Sequence, residues 1–582
     1  MPAVRTGWRK VLAKTTLGLC AAVGAGMLLT ACSLDAETGD RAEGPAASAQ
    51  QAAATTPQGF PEIIQELQHD WSIPGLAVAV VERDRIPYLK AFGFKERGAA
   101  APLSENSVFG IASVTKTFVA VAVATLVDDG KLRWDDRVVD HLPDFKVLDP
   151  YVTANVTIRD LLAHRSGIAS YADLLEENPN LTEPDLVKRL AFADQSMSFR
   201  SGYQYSSYTF VVLAQLIEAL SGKPWADYMR EAVLEPLALN GVYVHADEFV
   251  TEGNVLPTGD GWSTSISIGQ AALKDGIDAA SPHVAWERFH DHGLVFEKAE
   301  LDYDLSHFHR TAIDPGQSMY ASIEHLARWT QMWLNDGELD GTRLLDVSTI
   351  KEMRGKHGLA KKKNRAWPLD WKEKASAPWA SRRRVGVGLG LFMFDYRGHT
   401  LYGHSGSELG YGSLMVVDPN EEFAVVAMIN NSSRSFGAVD AVVQTLLDHR
   451  YGFEFQDWSA HYMELAKEGL REYFDHLSAL TASRPAGAET NPDFGKYVGH
   501  YANPFAGPIE VLERDGMLVA TTGESYFLEL RYWGGNDFKA VPIGPIRFWL
   551  DVSIEPSETD GQGRLVIEHS YLHKPLVYRA VP

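Results

Sequence analysis

The chain has 582 residues, 45% of them hydrophobic and 22% charged, with a formal net charge of −22. A length above ~300 residues suffices for more than one domain, and this hydrophobic content excludes an intrinsically disordered chain. The acid excess repels phosphate backbones and argues against nucleic-acid partners.

Arg5, Arg9, Lys10 and Lys14 precede an uncharged apolar run that ends Leu29-Thr30-Ala31-Cys32. A basic flank, a short apolar core and a small-residue cleavage site predict a signal peptide over 1–31, too short for a comfortable membrane span. Small residues before a cysteine resemble a bacterial lipobox. Cleavage there would leave Cys32 as a lipidated N-terminus. The expectation is an exported protein, lipid-anchored to the bacterial cell envelope, on the periplasmic side of the outer membrane in a Gram-negative host. The second cysteine, Cys20, lies inside the segment to be removed, which excludes an intrachain disulfide or a cysteine zinc site. Residues 32–59, rich in Ala, Ser, Thr and Gln, read as a flexible tether.

The body begins at Phe60 with an amphipathic helix over Ile63–Trp71. Gly75–Val81 reads as a buried strand with Tyr88–Phe92 as its hairpin partner. Thr117–Val127 is small and apolar on every face, so that helix should be buried. Helical patterns recur at Ile158–Ala163, Phe210–Leu220 and Ile323–Asn335. Strand patterns return at Val387–Asp395, Ser413–Val417 and Phe423–Asn430, before a helix at Ala438–His449. Strands at both ends of a helical block predict one α+β domain over 60–452 with a single antiparallel sheet. Residues 453–492 read as a helical linker ending in a Pro/Ala/Gly stretch. Six short strand patterns over 493–582 then predict a small all-β sandwich or barrel.

Ser113-Val-Thr-Lys116 sets a hydroxyl and an ammonium three residues apart at the opening of the apolar helix. Residues i and i+3 share a helical face, so the two groups are neighbours. A helix N-terminus adds unpaired backbone N–H groups and the positive end of the dipole. A lysine pushed toward its neutral form can take the serine proton. Ser348-Thr-Ile-Lys351 has the same spacing but starts a polar segment that should face water. Taken alone, Ser113 also reads as a helix cap. Two further motifs outweigh that: Tyr205-Ser206-Ser207, entering a helix at Tyr208, and His404-Ser405-Gly406, leading into Ser407 and the strand at Ser413.

The order S-x-x-K, Y-x-S, H-x-G resembles the serine β-lactamase and penicillin-binding-protein superfamily, on its class C and D,D-peptidase-like branch. Leu161–Gly167, Tyr205–Glu218, Ser318–Arg328 with Gly337–Gly341, and Tyr402–Gly406 with Gly410-Tyr-Gly412 and Asn430 resemble further blocks of that branch. The resemblance covers residues 60–450. It implies a β-lactamase/transpeptidase-like fold, an antiparallel sheet flanked by helices plus an all-helical region. It implies Ser113 as the acylated nucleophile and Lys116 with Tyr205 sharing the proton transfers. Backbone N–H groups of Ser113 and Ser407 would form the oxyanion hole. Ser207, His404 and Gly406 would hold substrate, with His404 also fixing Tyr205. No cofactor and no metal is implied. The C-terminal part resembles the lipocalin-like β-domain appended to such hydrolases.

Two features depart from the pattern. Ser207 stands where an asparagine is usual, and a hydroxyl reaches less far than an amide. The approach to Tyr205, Phe199-Arg-Ser-Gly202, lacks the usual Pro-Gly, which makes Tyr203 a rival. Residues 240–317 form a long insertion, of the kind that serves as a lid or substrate-selecting loop. The resemblance implies a peptidase of D-amino-acid or non-ribosomal-type peptides, or an esterase; a β-lactamase or a penicillin-binding sensor without efficient turnover is the alternative. The partners expected are a peptide or small-molecule substrate and, through the lipid alone, a membrane.

Other patterns carry less. Gly403–Ser407 resembles a nucleophile elbow, but no strand-turn-helix surrounds it. His290-Asp-His292 and His307-Phe-His309 fix no tetrahedral metal site and read as loop histidines. Lys361–Lys363 and Arg382–Arg384 read as solvated loops, or as a local contact for an acidic substrate end or headgroup.

Overall fold

Gly75–Glu82 forms strand β1, whose side chains are buried on both faces. Ala77, Ala79 and Val81 enter one core while Leu76, Val78 and Val80 enter a second, which is why the strand reads as an unbroken apolar run. The computed structural model describes residues 55–581 except 72, 97–99, 169–180, 246–311 (other than 248), 359–382, 409, 432–434, most of 466–492, and 515–516, 522–526, 544–549, 557–562 and 569–574. The expected signal peptide, Cys32, the expected tether up to residue 54, the two His-x-His pairs, Lys361–Lys363 and Arg382 lie outside the described residues.

β1 belongs to a seven-stranded sheet with β2 (Tyr88–Gly93), β3 (Arg383–Val387), β4 (Phe392–Tyr396), β5 (His399–Glu408), β6 (Tyr411–Asp418) and β7 (Phe423–Ile429). The order is β2-β1-β7-β6-β5-β4-β3 and every pairing is antiparallel. β1 pairs with β7 from Leu76 opposite Ile429 to Glu82 opposite Phe423, so the two ends of the domain close one sheet. Helices α1 (Phe60–Asp70) and α5 (Ser435–Tyr451) share one core with the sheet. On the other face lie α2 (Thr115–Asp128), α3 (Tyr208–Ser221) and α4 (Ile323–Leu334). Phe118 of α2 stacks on Trp329 of α4 at 3.8 Å, and α2 is buried on nearly every side, as its small apolar residues require.

Two sequence expectations change. Val387–Asp395 is not one strand but the hairpin of β3 and β4. Gly390 turns the chain at φ 77°, and a Cβ there would lie 2.3 Å from that of Ala120, so the turn needs glycine. The segment His404–Gly406 lies inside a strand of its own, β5, and the expected strand at Ser413 follows it as β6.

Beyond the seven-stranded domain, eight antiparallel strands close a barrel: β8 (Gly499–Asn503), β9 (Gly507–Arg514), β10 (Met517–Thr521), β11 (Phe527–Gly534), β12 (Asp537–Ile543), β13 (Leu550–Glu555), β14 (Arg564–Glu568) and β15 (Leu576–Val581). Each strand pairs with its sequence neighbour, and β8 pairs with β15 to complete the circle, which removes both sheet edges. Six of these strands were legible; β8 is too polar, and Pro542 breaks the pattern of β12. The β8–β9 turn packs on the seven-stranded domain: Phe505 meets Tyr208 edge-on at 6.0 Å, and Arg189 donates to the Phe505 carbonyl at 3.4 Å. No helix among the described residues is long and apolar enough to cross a membrane.

Candidate active site

Ala112, Ser113 and Val114 form a single 3₁₀ turn that runs into α2. Ala112 sits at φ 46°, a left-handed conformation uncommon for a residue with a Cβ. Strained backbone of this kind concentrates at functional sites, and here it lies directly before Ser113. Lys116 follows one helical turn later with no exposure to solvent. Its Nζ donates to Ser113 Oγ at 3.3 Å, to Ser207 Oγ at 3.2 Å and to the Gly316 carbonyl at 2.5 Å. The Tyr205 hydroxyl donates to Ser113 Oγ at 2.8 Å, and Lys116 Nζ lies 4.8 Å from the Tyr205 ring centroid. Ser113, Lys116, Tyr205 and Ser207 thus form one hydrogen-bonded unit at the start of α2 and α3. Ser207, the departure from the usual asparagine, accepts from the lysine.

Tyr203 is not the partner of Ser113. Its hydroxyl accepts from Arg384 Nη1 at 3.2 Å, and burial pushes it up to about 12. Tyr205 is aimed by residues that the sequence reading gave no role. The His164 carbonyl accepts from Gln204 N at 2.9 Å, and its Nδ1 accepts from Ser206 N at 3.3 Å. The His164 ring lies 4.7 Å from that of Tyr205. With Nδ1 an acceptor, the proton of the neutral imidazole is on Nε2. Beneath this, the fully buried Asp160 accepts from Arg165 Nη2 at 2.7 Å and Arg200 Nη2 at 2.6 Å, while Thr157 Oγ1 donates at 2.9 Å. Burial works to raise the Asp160 carboxyl, but those hydrogen bonds outweigh it and hold it below the usual range. Arg200 N also donates to the Arg165 carbonyl at 2.9 Å, so the loop without Pro-Gly is held by this backbone bond and by the Arg200–Asp160 ion pair.

β5 forms the opposite wall. His404 Nδ1 donates to the Ser405 carbonyl at 2.7 Å, and its ring lies 4.5 Å from Phe392 and 6.2 Å from Tyr205. Burial first, and the Lys116 charge second, push both His164 and His404 well below the usual histidine range, so both are neutral at neutral pH. Gly406 passes so close to the turn that carries Ser113 that a Cβ would lie 2.1 Å from the Ile111 carbonyl oxygen. That carbonyl also accepts from Ser413 Oγ at 2.8 Å, which ties β6 to the same turn. Ser407 follows on β5 opposite Gly412, with its side chain exposed. Arg384 caps this wall, its guanidinium 3.6 Å over the Phe392 ring, whereas Arg383 pairs with Asp395 at the surface. The rival pair Ser348 and Lys351 is exposed on the helix Val347–Arg354.

A half-buried serine and tyrosine around a buried lysine, beside a glycine-lined strand, can transfer a proton from the serine as it attacks a carbonyl, and return it to a leaving group. His164 had a signal in the segment Leu161–Gly167. The Gly316 carbonyl had none, because a backbone acceptor leaves no residue-type pattern.

Residues 60–449 match the family model described as Beta-lactamase. An unguisins hydrolase of Aspergillus campestris is 24% identical over 485 residues, 80% of each chain. A penicillin-binding protein 4 of Amycolatopsis lactamdurans is 29% identical over 64% of this chain and 84% of its own. An esterase, EstB, of Burkholderia gladioli is 34% identical over 37% of this chain and 57% of its own. Among solved structures, the octameric penicillin-binding protein homologue from Pyrococcus abyssi has a TM-score of 0.50 at 18% identity. It covers 90% of this chain and 99% of its own, and shows the shared fold.

Proposed function

The chain belongs to the beta-lactamase family, a family of serine hydrolases, and on that premise we propose that it acts through an acyl-enzyme formed on Ser113. Ser113 Oγ attacks the carbonyl carbon of an amide or ester. Its proton passes into the Tyr205–Lys116 pair and from there to the leaving amine or alkoxide. Water then attacks the acyl-enzyme, with the same pair taking its proton and returning one to Ser113. The backbone N–H groups of Ser113 and Ser407 hold the oxyanion, and Ser207, His404 and Gly406 line the substrate strand. The observation that carries the reading is the 2.8 Å hydrogen bond from Tyr205 to a Ser113 that Lys116 also reaches.

The substrate we infer is a peptide of the D-amino-acid or non-ribosomal type, or an ester. Relatives named as a hydrolase and as an esterase support this, as does His404-x-Gly406 where β-lactamases carry lysine. The test is a screen of purified protein against D-amino-acid peptides, short-chain esters and a chromogenic cephalosporin. Turnover of the first or second supports the reading; efficient turnover of the cephalosporin alone makes it a β-lactamase. A single burst with no turnover on any of the three makes it a penicillin-binding sensor.

We also infer that the protein is exported and tethered to the cell envelope by lipid on Cys32, on the strength of the segment Leu29–Cys32. Lipid labelling of the wild type that is unchanged in Cys32→Ser refutes this.

A further inference from the structure

Two segments distant in sequence meet behind Lys116. His245 lies on one, and Asp314 opens the turn 314–318 of the other; they are 5% and 1% exposed. His245 Nδ1 lies 3.3 Å from Asp314 Oδ2, and Ser318 Oγ donates to Asp314 Oδ1 at 2.7 Å. The His245 ring is itself held edge-on by Trp225 at 5.4 Å. The carboxylate therefore grips both ends of the turn 314–318. Within that turn Gly316 N donates to the Ile313 carbonyl at 2.7 Å, and the Gly316 carbonyl takes the 2.5 Å bond from Lys116.

The far side of the turn is pinned to the catalytic helix. Met319 N donates to Thr115 Oγ1 at 3.0 Å, and Ile111 N donates to the Met319 carbonyl at 2.9 Å. Gly316 is packed so closely on Ser207 that a Cβ would lie 3.0 Å from the Ser207 Cβ. Among the acceptors that Lys116 Nζ reaches, Ser113 and Ser207 offer hydroxyls that rotate. Gly316 offers a backbone oxygen whose place is set by the turn. A carbonyl accepts whether the amine is charged or neutral, so this bond can aim the lysine throughout a reaction cycle.

We infer that His245 and Asp314 are positioning residues, which hold the Gly316 carbonyl against Lys116 Nζ and so set the direction of the lysine toward Ser113. Neither touches the reacting atoms, and neither belongs to the three motifs. The inference rests on the acyl-enzyme reading above. A catalytic group displaced by about 1 Å can lose about 100-fold in rate, so freeing this turn should show in acylation before it shows in binding.

The test uses the full chain and measures the first-order rate of Ser113 labelling by a fluorophosphonate between pH 5 and pH 10. Asp314→Ala and His245→Ala should lose about tenfold or more in the labelling rate at saturating probe, with half-saturation little changed. Losing an acceptor disfavours the ammonium, so the acid limb of the rate profile should also move to lower pH. Asp314→Asn, whose amide oxygen still accepts from Ser318, should recover most of the rate. A residue with only a structural role would lower the melting temperature and leave the acid limb in place. If either alanine variant does not fold, His245→Gln is judged by the same two readouts. Folded variants with the wild-type rate and an unmoved acid limb overturn the inference while leaving the acyl-enzyme reading intact. A wild-type protein that is never labelled at Ser113 overturns both.

Discussion

Replacing Gly406 with alanine tests whether the turn that carries Ser113 and β5 must touch. The added carbon would lie 2.1 Å from the Ile111 carbonyl oxygen, 2.6 Å from Ser413 Oγ and 3.1 Å from the Ala112 Cβ. The first is backbone that already accepts from Val114 N at 3.1 Å and from Ser413 Oγ at 2.8 Å, so it cannot swing aside freely. Restoring a normal contact needs roughly 1 Å of separation between β5 and the turn that carries Ser113. A shift of that size is worth about 100-fold in rate when it misplaces a reacting group. Overpacking of this kind costs about 1–3 kcal/mol in stability, which a large domain can survive. The assay is the rate of Ser113 labelling by a fluorophosphonate, alongside a thermal melt. Gly130→Ala is the control: its φ is 71° but nothing lies within 4 Å, so it should cost stability and leave the rate alone. A Gly406→Ala protein labelled within twofold of wild type would refute the contact as a determinant of the site.

Tyr205→Phe should lower the acylation rate by about 100-fold or more, because it removes the hydroxyl bonded to Ser113, while Tyr203→Phe should stay near wild type; equal losses in a stopped-flow acylation assay would contradict the assignment. Asp160→Asn should destabilise the domain by about 3 kcal/mol in urea unfolding, because it leaves Arg165 and Arg200 without their charge partner. The Asp160 carboxyl is held low, so its contribution is full above the unfolded value of about 3.9 and is lost as pH falls through its folded pKa. His164 and His404 act over a higher window. Their folded pKa values lie well below 6.5, so the unfolded chain takes protons that the folded chain refuses, and stability should fall as pH drops below about 6.5. Urea midpoints that do not change between pH 8 and pH 5 would contradict this.

Much of the fold was written in local pattern. β1 and α2 are buried on all sides, and continuous apolar runs declare that directly. Ser113, Lys116 and Tyr205 were legible because each is a distinctive residue at fixed spacing from a helix start. Elements made by backbone geometry were not. The β3–β4 hairpin depends on a left-handed Gly390 packed on Ala120, and β5 carries Gly and Ser where a strand pattern expects bulk. The Gly316 carbonyl, the strained Ala112 and the His245–Asp314 pair depend on chain segments that only the folded structure brings together.

The central claim is that Ser113 becomes covalently acylated, and peptide mapping of the labelled protein tests it most directly. Wild-type protein treated with a fluorophosphonate or a fluorescent penicillin should carry one adduct, on Ser113, and Ser113→Ala should carry none and lose several orders of magnitude in turnover. An adduct on Ser348 or Ser407, or labelling that persists in Ser113→Ala, would contradict the account.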